Sequence, residues 1–310
     1  MRRTSSWPLK GGGAMRRRTK HLHHTRVYTG LYLGPGLGLI TLFIVIPILL
    51  TAWVSLHSWN MLTPFSQMPY VGLENYHQIL RDPVFLSALR NTILYSVISV
   101  VIELPLALIL GIFLFHTKVR GNRWVRTALF LPYVIPNVAV SIVWGYLYSP
   151  IYGPLNVVLS WLHIPAQPWL GSVHEALFSL IVLNLWQTVG YYTVIVLAGL
   201  TEIPQDYYEA ASLDGATKWQ ETRHITLPLL RRAITFVVII LTINSLQVFA
   251  PVYILTQGGP ANSTNVVVYD MYRTAFNYLN MGQASAMVFF LFVAILVMAI
   301  IELRFFGRSA

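Results

Sequence analysis

Six stretches of this chain, at 31–56, 91–115, 127–148, 176–200, 233–256 and 283–301, are long and apolar, and together they hold one Asp, Glu, Lys or Arg: Glu103. A helix crossing the roughly 30 Å hydrocarbon layer needs about 20 apolar residues. In lipid every backbone amide must find its partner within the protein, which leaves helices or closed barrels. Stretches of this length predict an all-α polytopic membrane bundle of six transmembrane helices. Only 10% of the residues are charged, against about 25% in soluble domains. The chain has no cysteine, which excludes disulfides and thiolate metal sites.

The net charge of +10 is a topology signal rather than a nucleic-acid footprint. Of the 21 Lys and Arg residues, 18 lie before the first stretch, at 116–126, at 201–232 and after the last stretch; the other loops hold Arg81, Arg90 and Arg273. The positive-inside rule then places both termini and the 201–232 loop in the cytoplasm, with the basic groups against anionic lipid. The first apolar run is too long for a secretory signal core of about 7–15 residues and is read as a retained helix. Met15 is an alternative start, and residues 1–14 read as an unstructured leader. His21, His23 and His24 lie in this basic tail with no nearby carboxylate and are read as tail rather than as a metal site.

The loop at 201–232 carries the most specific pattern. Pro204 suits a helix start, and 205–213 holds good helix formers. Asp214-Gly215 is a turn pair in which Gly can take a positive φ. Residues 218–226 then suit a second helix leading to Leu227-Pro228. Ala210 and Ala211 permit close approach of a partner surface, and Glu209 offers a charge.

Glu209-Ala210-Ala211, then Gly215, then Ile225, Leu227 and Pro228 resemble the "EAA" loop of ABC importer permeases. The likeness extends to Val71-Gly72-Leu73-Glu74-Asn75-Tyr76, Asn91-Thr92, Leu131-Pro132, Leu197-Ala198-Gly199-Leu200 and Leu255-Thr256-Gln257-Gly258-Gly259-Pro260. These are similar to segments of the carbohydrate-uptake, maltose-type first permease subunit, over roughly 30–305. The large extracytoplasmic insertion of some such subunits is missing.

The resemblance implies a permease domain at 31–303 with its EAA loop at 201–232, flanked by cytoplasmic tails at 1–30 and 304–310. Glu209, Ala210, Ala211, Asp214, Gly215, Ile225, Leu227 and Pro228 would form the ATPase-coupling site. Implied partners are a second homologous permease (a heterodimer), two ABC ATPase subunits and an extracytoplasmic substrate-binding protein, in the prokaryotic inner membrane. No cofactor is expected on this chain; ATP and Mg would sit on the ATPase subunits. Gly11-Gly12-Gly13 lacks the Lys of a phosphate loop, so this subunit is not expected to be an enzyme.

Polar stripes supply candidate substrate contacts. Asn184, Gln187, Thr188 and Tyr191 share one helical face in the fourth stretch, and Asn137, Ser141, Trp144 and Tyr148 one face in the third. In the fifth, Asn244 and Gln247 lie a turn apart with Pro251 a turn on. Ser245 and Tyr253 belong to the same candidate set. Amides and hydroxyls cannot face lipid unpaired. They therefore either touch a sugar-like substrate or bond neighbouring helices. Glu103 is either a structural carboxyl or a proton carrier. The second role would suit an ion-coupled secondary carrier, the alternative class. No internal repeat supports that class. A sugar or oligosaccharide is the expected cargo; glycerol-3-phosphate and other polyols stay open, and scarce intramembrane cations disfavour an anion. Pro47, Pro105, Pro132, Pro136 and Pro251 each mark a candidate kink.

Overall fold

The computed structural model describes residues 32–116 and 122–307. The histidine trio, the basic tail 1–30, Lys118, Arg120 and Arg308 lie outside the described residues. The chain divides into two units, 1–53 and 54–310. In the first, helix α1 (Tyr32–Val54) is long and apolar enough to cross a membrane. It contains a π-helical turn at Thr41–Val45, just ahead of Pro47. Leu33, Leu42, Phe43, Ile44 and Leu49 are all exposed on it, as a helix that is apolar all round requires in lipid.

The second unit runs through α2 (Glu74–Ile79), α3 (Pro83–His116), α4 (Asn122–Val134), α5 (Asn137–Leu147), α6 (Pro154–Trp161), α7 (Ala176–Thr201) and α8 (Asp206–Leu213). It continues with α9 (Lys218–Leu229), α10 (Arg231–Leu246), α11 (Val267–Tyr272) and α12 (Met281–Gly307). Among the described residues, four helices are long and apolar enough to span, and six spans result if each of two bent pairs counts as one.

Three departures from the hydropathy reading shape the site. Helix α3 begins at Pro83 rather than 91, because Asp82 caps it: its Oδ1 accepts from Val84 N at 2.9 Å and its carbonyl from Leu86 N at 3.0 Å. The third stretch is two helices, α4 and α5, meeting at 98°. The fifth, expected as one helix over 233–256, stops at Leu246, and a separate π-helical turn occupies Val252–Thr256. The break lies at 247–249, and Pro251, which has no N–H to offer the Gln247 carbonyl, stands at the start of the next helical piece, where that N–H is not needed. Pro105 and Pro132 lie inside continuous helices; of the pair in the third stretch, Pro136 marks the break.

The core forms where α3, α7 and α10 pack together, around Ala107, Val196, Leu200, Val237 and Leu241. Small residues let these helices approach closely. At Gly190 on α7, an added Cβ would lie 1.7 Å from the Leu129 carbonyl oxygen of α4, so the two backbones touch directly. On the far end of α3, Asn91 donates to the carbonyls of Asn262 and Asn265, both at 2.9 Å, and Thr92 accepts from Val267 N. Nearby, burial pushes the Asp270 carboxyl up, against the opposing pull of Asn265 and Arg273.

Candidate functional site

The breaks in the third and fifth stretches face a common cavity of about 570 Å³, lined by 133–137, Asn184, Gln187, Thr188, Asn244 and 247–251. Broken helices free carbonyls that straight helices would satisfy, so such sites need side-chain donors. Gln187, 3% exposed, supplies them across the bend: its Nε2 donates to Ile135 O at 3.2 Å and to Asn137 Oδ1 at 2.7 Å. Thr188 donates to the buried carboxyl of Glu103 on α3, and its hydroxyl lies 2.8 Å from Asn184 O. Asn244 donates to Tyr192 OH at 3.2 Å.

The structure therefore brings together Asn137, Asn184, Gln187, Thr188, Asn244 and Gln247 from three separate stretches. Other predicted contacts stand apart from the cavity lining. Ser245 is buried and pairs with Ser96 at 2.6 Å. Ser141 bonds back to Asn137 O, and Tyr148 to Ser179 O. Trp144 packs between Tyr148 and Trp186. Tyr253 stacks on Phe249, and Tyr191 on Tyr133, with ring centroids 5.3 and 4.2 Å apart. Tyr191 is stacked on the lining residue Tyr133 but is itself outside the lining. Sequence reasoning missed Tyr133 and Phe249 as lining residues. The signal for Tyr133 was its place between two prolines, Pro132 and Pro136; Phe249 carried none beyond its nearness to Pro251.

A second candidate lies in the 201–232 loop. Helix α8 ends at Leu213, and Gly215 takes φ +79°, which lets Ala216 N bond to Ala211 O at 2.9 Å. Thr217 then starts α9 with a capping box: its hydroxyl accepts from Gln220 N, and the Gln220 side chain accepts from Thr217 N. Tyr208 OH and Thr226 Oγ1, 3.1 Å apart, tie α8 to α9. Glu221, 2% exposed, pairs with Lys218 at 2.8 Å.

Ala211, Asp214, Gly215 and Ile225 line one groove of about 340 Å³. Pro228 lines another of about 390 Å³, with Tyr207, Arg231 and Arg232. Glu209 and Ala210 are exposed beside them and line neither groove, nor does the half-buried Leu227. Leu213 and Trp219, which sequence reasoning did not single out, are 88% and 69% exposed.

A helical bundle broken at two points around a neutral polar cavity defines the class: a membrane permease. Residues 103–307 match the family described as "Binding-protein-dependent transport system inner membrane component", and the chain belongs to that family of ABC importer permeases. It is 35% identical to the probable ABC transporter permease protein YurN of Bacillus subtilis, over 92% of this chain and 98% of that one. It is 34% identical to the trehalose/maltose transport system permease protein MalF of Thermococcus litoralis, over 88% and 92%. The trehalose transport system permease protein SugA of Mycobacterium tuberculosis is 32% identical, over 90% and 89%. The fold matches a chain from the crystal structure of a bacterial ABC transporter involved in the import of the acidic polysaccharide alginate. The TM-score is 0.81 at 24% identity, covering 94% of this chain and 99% of that one. Among the described residues no cluster of His, Asp or Glu could hold a metal ion.

Proposed function

We propose that this chain is the permease subunit through which an ATP-driven importer passes a sugar or oligosaccharide delivered by an extracytoplasmic binding protein. One observation carries the reading: in a member of this permease family, neutral amides and hydroxyls from three stretches converge with Tyr133 and Phe249 on one cavity. Sugar recognition uses neutral donors and acceptors beside aromatic faces, and the cavity volume falls within the roughly 300–1,000 Å³ of small-molecule sites. The names of the trehalose and maltose relatives support the same class of cargo. Twelve spans, six from this chain and six from a second, different permease, would enclose the pathway.

Energy would come from two separate ATPase subunits holding ATP and Mg. Their docking surface on this chain would be the grooves around Ala211, Asp214, Gly215, Ile225 and Pro228, with Glu209, Ala210, Leu213 and Trp219 beside them. Closure of the ATPase dimer would draw this loop inward and turn the attached spans from inward-facing to outward-facing. The distribution of Lys and Arg supports a cytoplasmic position for the loop and both termini.

The test is uptake into proteoliposomes holding this chain with its co-purifying permease, ATPase and binding protein. A panel of sugars is offered with and without ATP on the ATPase side. ATP-dependent, binding-protein-dependent uptake of a sugar is the expected result. Uptake driven by a proton or sodium gradient without ATPase subunits, lost in Glu103→Gln, would overturn it.

A further inference from the structure

A row of aromatic rings leads away from the cavity, and its role deepens the reading of a sugar pathway and rests on it. Phe249 lines the cavity. Tyr253 N bonds to Phe249 O at 2.9 Å, which places the two side chains one turn apart on one face. Tyr272 and Phe276 are likewise one turn apart, on α11 and the π-helical turn Arg273–Asn277 that continues it. The two faces meet ring to ring. Centroids are 5.3 Å apart from Phe249 to Tyr253, 5.2 Å from Tyr253 to Tyr272 and 5.2 Å from Tyr272 to Phe276. Phe249 also touches Tyr272 directly, at 5.5 Å. With the 201–232 loop on the cytoplasmic side, the 257–280 connection lies on the outer side, so the row runs from the cavity outward.

Packing of ring on ring accounts only for the inner part of this row. Phe276 is 57% and Tyr253 38% exposed, and among the rings of the described residues Phe276 touches Tyr272 alone. Arg273 beside them is engaged: its Nη2 lies 3.3 Å from Asp270 Oδ1 and its guanidinium over the Tyr269 ring. What the row offers is therefore ring surface rather than charge. The face of an aromatic ring is electron-rich, and the C–H face of a sugar ring is its natural counterpart. Rings in contact with one another let a sugar pass from one to the next without losing such a contact. Residues that merely anchor a helix at the membrane surface have no need to touch a cavity-lining ring.

We propose that Phe249, Tyr253, Tyr272 and Phe276 form a saccharide-binding track outside the cavity, on which a sugar ring released by the binding protein stacks before it reaches the amides within. Tyr253 and Phe276, the exposed rings, make the outer contact.

The test uses the assembled permease–ATPase complex in lipid nanodiscs, with its binding protein loaded with a diazirine-bearing form of the saccharide found by the uptake panel. Irradiation followed by peptide mass spectrometry should place the label on Tyr253, Tyr272 or Phe276 as well as in the cavity, and excess unmodified saccharide should remove it. In proteoliposomes, Phe276→Leu, which keeps an apolar side chain without a ring, should lower uptake at subsaturating sugar about fivefold, and Phe276→Tyr should restore most of it. The affinity of the loaded binding protein for the complex should not change, which separates a sugar contact from a docking surface for that protein. Co-purification checks that each variant assembles. Label absent from these three residues would overturn the proposal, as would uptake indifferent to Phe276→Leu. Loss of uptake matched by loss of affinity for the binding protein would also overturn it and assign the rings to that partner. Each of these outcomes leaves the importer reading intact. A panel with no ATP-dependent uptake of any sugar would remove that reading, and this track with it.

Discussion

The cavity and the 201–232 loop are built by opposite means. The loop is local: its bonds join residues a few positions apart, as in the Thr217–Gln220 capping box and the Ala216–Ala211 turn. Its hydrogen bond from Tyr208 to Thr226 crosses 18 residues, and its link to the bundle is ring packing, Tyr208 on Phe115 and His116. The cavity depends on distant pairs. Gln187 meets Ile135 from 52 residues away, and Thr188 meets Glu103 from 85. A local device keeps its shape as a unit while it is pushed, which suits a surface that transmits force. A device of distant pairs exists only while helices keep their places, which suits a cavity that opens and closes as they move.

The contrast can be broken most severely at Gly190. Replacing it with Val forces atoms into the Leu129 carbonyl, and backbone cannot yield there as a side chain can. Overpacking costs about 1–3 kcal/mol even where neighbours yield, and occasionally more; loss of the assembled complex in size-exclusion chromatography is expected. Next comes Gln187→Leu, which leaves the Ile135 carbonyl and the Asn137 side-chain oxygen without their donor. Both acceptors line the open cavity and can turn to water, so the loss is that of two hydrogen bonds, about 0.5–1.5 kcal/mol each; the thermal transition of the purified complex should fall by a few degrees and uptake should be lost. Gln187→Glu should not rescue it, because an ionised carboxylate brings no proton.

Gly215→Val sharpens the loop side. Space is open around Gly215, so only its φ of +79° is violated, at about 1–3 kcal/mol. The complex should assemble, while stimulation of ATPase activity by loaded binding protein falls at least tenfold; full stimulation would count against the loop as coupling device. Thr217→Ala is the mildest. Losing a helix cap costs about 1 kcal/mol, and initial uptake rates should stay within about twofold, because Tyr208 and Thr226 still hold α8 to α9.

The same contrast decides what could be read in advance. Helix, Gly turn and second helix in the loop followed from residues next to one another, and the polar faces of three stretches followed from helical spacing. Hydropathy started the second stretch at Asn91 because Arg90 interrupts the apolar run, whereas the helix capped by Asp82 carries Arg90 within it. It missed the divided third and fifth stretches because apolar residues continue through both breaks. Which stripe residues would meet could not be read at all. Asn184 and Thr188 reach the cavity while Tyr191, on the same face, stacks on Tyr133 outside the lining. That choice depends on where α4 crosses α7.

Gln187 and Gly190 lie within one turn of α7, one bonded to the bend after α4 and the other against the backbone of α4 itself. Slide α7 by a single residue, about 1.5 Å along its axis, and the glutamine leaves Ile135 while a side chain arrives where no Cβ fits. The fourth crossing and the bent third one are therefore a single rigid link, and the cavity can change shape only by moving that link against its other walls.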